Sequence, residues 1–457
     1  MARLRVLVAA GWVVAALAGS VAVAPGATAQ AVGEIDATGA ADVTADLQAL
    51  FDRTPDGDVV RLAAGGAYRV EGTIVLRDRH DLVINGNGAR IFATTTGAPD
   101  RGQIKIQGGS GLKIRNLEIQ GANPHAGLDE RAYNPELEFQ AGLALEGVTD
   151  LEVDRVNIHD TYGDHIFIGR LSAGRRASER IWIHDSSFAR SGRQGIAIID
   201  GRDVVIERNQ FTDMRRATVD LEPVGELAVE NIHIIDNEVG PGRLLFVAAG
   251  GEAPINRVVI ARNSLHGRPL TLTVIPPEGQ RRQDYWVIDN TTDFTDMKAT
   301  LAFTRTDGAI VRGNRQPLSG EAPLDVISDS CNISVTDNDV TPSTRAVEGE
   351  SRECNHFISP QPPDPPPVAG RGQNEASSPA APPATVAPAK PPRDKPPAKP
   401  ASTPATSAPE PGVTSLTVTS VHPDDGVAVP VVVLAIILAV LAVAGAALTV
   451  KARRSRS

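Results

Sequence analysis

The central part of the chain is a series of short apolar segments in which valine or isoleucine alternates with polar residues and a turn residue follows. The segments WIHDSSF, VIERNQF, IIDNEV and VIARNSL show this pattern. Alternation with a period of two predicts short, half-buried β-strands. The turn residue recurs every 23 to 39 residues and is asparagine at seven of ten positions. These positions are Asn87, Leu117, Val156, Ser186, Asn209, Asn237, Asn263, Asn290, Asn314 and Asn338.

A repeat of this length, built from short strands alone, predicts a parallel β-solenoid. Each coil would bury its apolar residues against those of the next coil, about 4.8 Å away, and the turn asparagines would hydrogen-bond along the stack. The four strands per blade of a β-propeller and the spacing of a leucine-rich repeat do not occur. The predicted fold class is therefore all-β, with about ten or more coils.

A short helix is predicted before the first coil. Thr44 is placed to cap it, and Leu47, Leu50 and Phe51 fall on one face. We expect this N-terminal cap helix to cover the open end of the solenoid, which would otherwise expose a sheet edge.

Both ends of the chain carry apolar segments typical of membrane targeting. In residues 1–29, Arg3 and Arg5 precede an apolar run that ends in small residues. This pattern predicts a secretory signal peptide, with an uncleaved anchor helix as the alternative. Residues 429–450 are uncharged and long enough for a transmembrane helix, and the basic tail 451–457 is expected in the cytoplasm. The sequence thus predicts a single-pass protein of the cell membrane whose N-terminal domain is extracellular.

The remaining chain divides into a folded body, residues 30–359, and a linker, residues 360–428. More than half of the 34 prolines lie in the linker, which predicts a disordered, extended stalk; a proline-rich ligand for a partner is the alternative. The two cysteines, Cys331 and Cys354, are expected to form a disulfide, because the body would be in an oxidising compartment. A metal site formed by Cys354 and His356 is the competing interpretation.

The charge of the chain narrows the range of partners. The formal net charge is −10, and the negative charge is concentrated in the body, since both ends are basic. An acidic body does not suit a phosphate backbone, so no nucleic acid is expected as a partner. We expect a monomer.

In its coils, its helix before the first coil and its asparagines, the chain resembles right-handed parallel β-helix proteins of the pectate-lyase-like superfamily. The resemblance covers roughly residues 34–345 and rests on the segments GDVVRLAAGGAYRV and LVINGNGARI as well as the coils. It implies a right-handed parallel β-helix. The superfamily includes polysaccharide lyases, glycoside hydrolases, epimerases, phage tailspikes and adhesins, so the resemblance implies no single activity.

In that superfamily the strand before each V-x-I strand belongs to the sheet that floors the substrate groove. Here those strands are residues 141–147, 164–170, 194–200 and 217–223, and alternation predicts which of their side chains face outward. Asp220 and Glu222 would lie about 6.5–7 Å apart on the outer face, a spacing that suits an inverting glycosidase. His165 would be an auxiliary base or a substrate contact. The expected substrate-binding residues are Asp164, Arg193, Gln194, Arg215, Arg216, Glu146, Tyr133 and Arg131.

Two observations favour a functional groove over an ordinary solvated face. The polar residues concentrate in three consecutive coils, and the longest interval between turns inserts a loop, residues 122–140, beside them. This loop would bring Tyr133, Arg131 and Glu138 to the groove. In the simplest alternative, Arg215 or Arg216 pairs with the two carboxylates and the face has no chemistry.

The sequence departs from the characterised relatives. In IWIHDSSF, His184 and Asp185 stand in the reverse order of the similar pectate-lyase segment, and the arginine motif of those lyases is missing. The NTD, GHG and RIK segments of polygalacturonases are missing too. A lyase using Arg193, Arg216 or His165 as the base, with carboxylates holding calcium, remains an alternative. No other cofactor or metal is expected, and His159, His184 and His233 are expected at turns or on the surface.

The sequence therefore favours a membrane-anchored extracellular enzyme that cleaves a polysaccharide or cell-wall glycan, by hydrolysis rather than elimination. A non-catalytic glycan-binding or adhesion module is the rival hypothesis. A purely structural spacer is disfavoured, because chemically active residue types cluster between residues 160 and 222.

Overall fold

The structure is a computed structural model of the 457-residue chain. It describes residues 35–172, 176–243, 245–294, 300–316, 324–340, 346–347, 354–368 and 370–371. The predicted signal peptide, transmembrane helix, basic tail and most of the linker lie outside the described residues. In the part of the chain that is described, no helix combines the length and the apolar character needed to cross a bilayer.

Within the described residues, thirty-one short strands make up almost all of the regular structure. In chain order they are β1 Thr38–Asp42, β2 Val59–Arg61, β3 Ala67–Arg69, β4 Ile74–Arg77, β5 Val83–Phe92, β6 Ile104–Gln107, β7 Lys113–Gln120, β8 Leu143–Glu146, β9 Thr149–Thr161, β10 Ile166–Gly169, β11 Ser178–His184, β12 Ser187–Ser191, β13 Ile196–Ile198, β14 Gly201–Glu207, β15 Gln210–Thr212, β16 Val219–Leu221, β17 Val229–Ile235, β18 Glu238–Val239, β19 Val247–Ala249, β20 Ile255–Ala261, β21 Ser264–Leu265, β22 Thr271–Val274, β23 Arg282–Ile288, β24 Thr291–Thr292, β25 Thr300–Thr304, β26 Thr306–Arg312, β27 Arg315–Gln316, β28 Leu324–Ser328, β29 Cys331–Thr336, β30 Asp339–Val340 and β31 Ala346–Val347. The helices are α1 Thr44–Arg53 and a 3₁₀ turn, Glu130–Ala132.

The strands stack in parallel, as a solenoid requires. Eleven of them, from β4 through β6, β8, β10, β13, β16, β19, β22, β25 and β28 to β31, form one sheet, here called the floor sheet. The other twenty form a second sheet, in which each strand pairs with its counterpart one coil away. The predicted all-β parallel solenoid of about ten coils is confirmed.

The core lies between the two sheets and consists of stacked aliphatic side chains. In the floor sheet, Ile166 is in register with Leu143 on one side and with Ile196 on the other, and Ile196 is in register with Val219. All four are completely buried. The prediction that these residues point inward is therefore correct, and β-branched side chains suit such a narrow stack.

The turn asparagines form the predicted ladder over the second half of the solenoid. The Asn263 side chain donates from Nδ2 to Asn290 Oδ1 (2.9 Å) and to the Ile234 carbonyl (2.8 Å). Its Oδ1 accepts a hydrogen bond from Asn237 Nδ2 (2.9 Å). The same pattern links the asparagines at 209, 237, 263, 290, 314 and 338. Asn87 is not part of it, because the register of β5 and β7 shifts between Asn85 and Ala89.

We expect Asn263→Ala to lower the free energy of unfolding by about 1–3 kcal/mol, because it leaves buried partners on both neighbouring coils without a hydrogen bond. Chemical denaturation measures the change. Asn134→Ala, in the loop at residues 122–140 and outside the ladder, is the control and should change stability less, because Asn134 Oδ1 accepts only one exposed hydrogen bond, from the Glu136 backbone N–H. Equal losses in the two variants would show that the ladder adds nothing.

Helix α1 begins at Thr44, but Thr44 does not cap it as predicted. Instead Asp42 Oδ1 accepts hydrogen bonds from the Thr44 backbone N–H (3.0 Å) and hydroxyl (2.6 Å). The longer reach of the Asp42 side chain brings its carboxylate to the first free N–H of the helix. On the buried face, Gln48 exchanges two hydrogen bonds with the backbone of Val75 in β4, the first strand of the floor sheet.

The predicted disulfide joins Cys331 and Cys354. From Cys354 the chain turns back along the second sheet, and we call residues 354–371 the strap. Ile358 and Val368 of the strap pack against an apolar stripe that includes Trp182 and Trp286. At the end of the strap, Arg371 donates from Nε to Glu207 Oε2 in β14 (3.0 Å).

Candidate functional site

The polar cluster predicted by the sequence lies on the outward face of the floor sheet. Val219 and Leu221 in β16 are completely buried, so Asp220 between them points outward. Asp220 is in register with Ala197, and Ala197 with Phe167. Because neighbouring coils are about 4.8 Å apart, Phe167 lies about 10 Å from Asp220 along this row.

Arg193 is the centre of the cluster. Its guanidinium donates to both carboxylate oxygens of Asp164 (3.0 and 3.2 Å) and to Glu222 Oε2 (2.8 Å). Its Nε lies 3.5 Å from Glu138 Oε2. Arg193 is largely buried, and it contacts a carboxylate from the coil before its own, one from the coil after it and one from the loop. The alternative in which Arg215 or Arg216 pairs with the carboxylates is not what the structure shows for Glu222.

Asp220 is held by an amide instead of a cation. Gln194 Nε2 donates to Asp220 Oδ2 (2.6 Å), while Gln194 Oε1 accepts from the Ala217 backbone N–H (2.7 Å). The second bond fixes the amide so that its NH₂ group faces Asp220. The backbone N–H of Gln194 also donates to Asp164 Oδ1 (3.0 Å). The adjacent residues Arg193 and Gln194 thus contact four carboxylates, those of Asp164, Glu222, Glu138 and Asp220.

Burial raises the pKa values of two carboxyl groups in this cluster, those of Asp220 and Asp164. Asp220 is 9% exposed, and burial together with the nearby Glu222 carboxylate raises its pKa to about 8. Asp164 is 2% exposed, and burial raises its pKa to about 6 in spite of the Arg193 guanidinium, which acts in the opposite direction. Asp220 is therefore protonated at neutral pH, whereas Glu222 forms an ion pair with Arg193. Two neighbouring carboxyl groups in different protonation states are what acid–base catalysis requires.

The loop at residues 122–140 lies against these coils and completes one side of the cluster. It approaches so closely that a Cβ at Gly163 would lie 2.3 Å from the Glu138 carbonyl oxygen. Tyr133 donates its hydroxyl to Glu138 Oε2 (2.8 Å), and burial raises the pKa of Tyr133 to about 12. The Arg216 guanidinium stacks on the Tyr133 ring, 5.0 Å from its centre. The loop therefore places Glu138 beside Arg193, and its Tyr133 contacts both Glu138 and Arg216.

The prediction for His165 is wrong. His165 is completely buried, its Nε2 lies 3.1 Å from the Ala189 carbonyl oxygen, and its ring stacks on Phe188 of the core. Strand β10 begins only at Ile166, so the inward–outward alternation does not extend to the preceding residue. Burial lowers the pKa of His165 to about 3, which makes it a neutral core residue without access to a substrate.

Three other predicted binding residues have partners outside the cluster. Arg131 is exposed and pairs with Asp129 (2.7 Å), and Arg215 lies 3.6 Å from Glu130 on the outer part of the loop. Glu146 faces outward but accepts a hydrogen bond from Gln107 of the preceding coil (2.9 Å). Two of the histidines expected at turns or on the surface, His184 and His233, are buried.

The partly exposed Phe167 in β10 was given no role in the sequence-based prediction of the site. A Cβ at Gly169 would lie 2.7 Å from Phe167 Cε1, so the ring lies along the strand over Gly169. Phe167 is partly exposed, and alanines occupy the same row on both sides, at 144 and 197. Both alanines are buried, so the exposed apolar surface beside the carboxylate cluster is the Phe167 ring itself. Alternation indicates that Phe167 faces outward, but it does not show that the ring lies flat.

Among the described residues, two groups of potential metal ligands have suitable spacing. One is Asp154, His184 and Asp185, and the other is Asp307 with the disulfide-bonded Cys331 and Cys354. Both lie away from the cluster around Arg193. The calcium-binding alternative therefore gains no support from the arrangement of Asp164, Asp220 and Glu222.

Comparison with protein families bears on the fold. Residues 102–272 match the family model described as a right handed beta helix region. The chain is a right-handed parallel β-helix protein. No curated protein matches the sequence.

Solved structures resemble this β-helix at low sequence identity. The endo-xylogalacturonan hydrolase from Aspergillus tubingensis is 13% identical with a TM-score of 0.51, and the match covers 70% of this chain and 98% of that chain. The surface adhesin PfbA of Streptococcus pneumoniae is 13% identical with a TM-score of 0.45, covering 67% and 90%. A tailspike protein of E. coli bacteriophage HK620 is 13% identical with a TM-score of 0.47, covering 66% and 57%. At 13% identity the likeness to the hydrolase shows the fold alone and leaves the activity open.

Proposed function

We propose that this protein is an extracellular enzyme that hydrolyses a polysaccharide and is held at the cell membrane by its C-terminal helix. The observation that carries the proposal is the pair Asp220 and Glu222. One carboxyl group is buried and protonated, and the next outward-facing one is ion-paired and more exposed. The anchoring rests on the sequence of residues 429–450 alone.

In the proposed reaction, Asp220 is the general acid. Gln194 occupies Asp220 Oδ2, which leaves the other carboxyl oxygen for the glycosidic oxygen of the substrate. Asp220 gives its proton to that oxygen as the bond to the anomeric carbon breaks. Glu222 takes a proton from a water molecule, whose oxygen bonds to the same carbon. The spacing of two outward residues on one strand favours attack from the opposite face and inversion of configuration.

The neighbouring surface supports a carbohydrate substrate. The apolar face of a sugar ring packs on flat aromatic surfaces, and the partly exposed Phe167 ring provides one. The row runs along the solenoid axis, so a polymer bound over Asp220 would also cross Phe167. This arrangement favours cleavage within a chain.

Hydrolysis is favoured over elimination because Arg193, Arg216 and His165, the residues that could act as the base of a lyase, are all bound to or buried among other side chains. Arg193 is bound to Asp164 and Glu222, and the neighbouring carboxylates keep its pKa well above the ordinary value for arginine. Arg216 stacks on Tyr133, and His165 is buried in the core. An arginine in this environment is a poor proton acceptor.

The test is to incubate the full-length protein, in a detergent without sugar groups, with a polysaccharide panel that includes xylogalacturonan, with and without calcium. New reducing ends without ultraviolet absorbance from an unsaturated product support hydrolysis. Both signals together, above all if a chelator abolishes them, would replace the hydrolase with a lyase.

A pH profile gives a second prediction. Because the pKa of Asp220 is raised to about 8, the acid form persists through neutral pH and is lost above it. We expect kcat/KM to be maintained up to about pH 8 and then to fall tenfold per pH unit. A profile already falling between pH 5 and 6 would contradict the assignment of Asp220 as the acid.

A non-catalytic glycan-binding module is the second candidate. It is favoured by the neutralisation of both Asp164 and Glu222 by one arginine, which is also how a static binding surface would be arranged. Binding to members of the panel without release of reducing ends would support it.

A further inference from the structure

The asparagines of the first coils do not belong to the buried ladder. Asn85, Asn116 and Asn157 stand on β5, β7 and β9, three successive coils of the second sheet, whereas the ladder begins at Asn209. Together with neighbouring residues they line an open groove of about 500 Å³. The lining residues are Asn85, Asn87, Gly88, Asn116, Leu117, Glu118, Arg155 and Asn157.

The protein fixes these three amides by their oxygen atoms. Asn85 Oδ1 accepts from the Asn87 backbone N–H (3.0 Å), and Asn116 Oδ1 accepts from Arg155 Nε (3.1 Å). Asn157 Oδ1 accepts from the Ser187 hydroxyl (3.1 Å). Among the described residues, no acceptor lies within hydrogen-bond distance of the three NH₂ groups. Each amide is therefore oriented by the protein, with its donors left for something else.

A carboxylate stands among these donors. Glu118 is in register with Asn157, and its Oε1 lies 3.1 Å from His159 Nε2. This hydrogen bond lowers the pKa of Glu118, so the side chain is ionised at neutral pH. Among the described residues no hydrogen bond occupies its second oxygen, and Glu118 lines the groove. Oriented amide donors around one carboxylate acceptor match the alternating donor and acceptor character of neighbouring sugar hydroxyls.

The dimensions fit an oligosaccharide. Three coils at about 4.8 Å separate the outermost amides by about 10 Å along the solenoid axis, a length that accommodates more than one sugar ring. The groove is polar throughout except for Leu117, and Arg155 already pairs with Asp154, so no free cation marks it for an anionic ligand.

We propose that this groove is a second carbohydrate-binding site, specific for neutral glycans and separate from the site on the floor sheet. The two sites lie on different sheets, so the groove could hold one part of a polymer while Asp220 acts on another. The proposal does not depend on hydrolysis, because a binding module would use the same groove.

The test uses the full-length protein in a detergent without sugar groups, with isothermal titration of neutral tetrasaccharides of glucose, xylose, mannose and galactose. The informative variants are Asn116→Asp and Asn157→Asp. Each keeps the oxygen that Arg155 or Ser187 binds and converts the NH₂ donors to an acceptor, and aspartate tolerates the positive φ of residue 116. We expect each to weaken binding roughly five- to tenfold.

Two controls make the result specific. Asn134→Asp makes the same chemical change on the loop, where Asn134 Oδ1 accepts from the Glu136 backbone N–H, and should leave affinity unchanged. Asp220→Asn should also leave binding in the groove unchanged while abolishing hydrolysis. The proposal is overturned if no neutral tetrasaccharide binds, if both groove variants bind as the wild type does, or if binding is lost only in Asp220→Asn.

Discussion

Asp220→Asn is expected to reduce polysaccharide hydrolysis by about 10²–10⁴-fold, the usual contribution of a general acid. Asparagine has nearly the same shape as the protonated acid but has no proton to give to the leaving oxygen. The change also removes a carboxyl group whose burial raises its pKa to about 8, so the variant should be no less stable than the wild type. Rates of reducing-end release on the most active polysaccharide of the panel measure the effect.

Glu222→Gln tests the role of the Glu222 carboxylate separately from that of Asp220. If Glu222 activates water, this variant should lose activity to a similar extent, and added azide, which needs no base, should partly restore cleavage. Azide should not restore the activity of Asp220→Asn on a substrate with a poor leaving group, because that variant lacks the acid that protonates the leaving oxygen. Full activity in both variants would rule out hydrolysis by this pair. Loss in Asp220→Asn alone would leave Asp164 as the candidate base.

The fold could be predicted from the sequence because its two signals are local. Alternation of β-branched residues specifies which side chains enter the core, and asparagine at the turn specifies the ladder that joins coils. The coil spacing then fixes which distant residues meet. Arg193 and Asp164 are far apart in sequence yet bonded, because one coil separates them.

The site was predicted only in part because three of its features depend on side-chain placement in three dimensions. Alternation correctly placed Asp220 outward. The same alternation, extended to the residue before β10, placed His165 outward as well, but His165 lies in the core against Phe188. The choice of Arg193 over Arg215 as the partner of Glu222 depends on how the loop lies, and no sequence period encodes that. Phe167 was visible as an outward residue, but only its contact with Gly169 shows that the ring lies flat.

Arg193 connects the stability of the body with the chemistry of the site. It holds the buried Asp164 carboxylate, and without it that charge would have no cation partner among the described residues that contact it. We expect Arg193→Met to lower the free energy of unfolding by about 3–5 kcal/mol at neutral pH, because a buried charge that loses its partner is strongly destabilising. Urea denaturation of the full-length protein measures the loss.

The pH dependence of the stability loss, together with the substitution Asp164→Asn, identifies the cause of the destabilisation in Arg193→Met. The pKa of Asp164 in the folded protein is about 6, above the ordinary value of about 3.9, so folding favours its protonated form. The stability contributed by protonated Asp164 is complete below about pH 4 and is lost as the pH rises through 6. Removing Arg193 raises this pKa further, so the loss caused by Arg193→Met should grow from pH 4 to pH 8. Asp164→Asn removes the buried charge and should restore most of the stability of Arg193→Met at pH 8. If the double variant were as unstable as Arg193→Met, lost packing of the long arginine side chain, and not the unpaired carboxylate, would account for the effect.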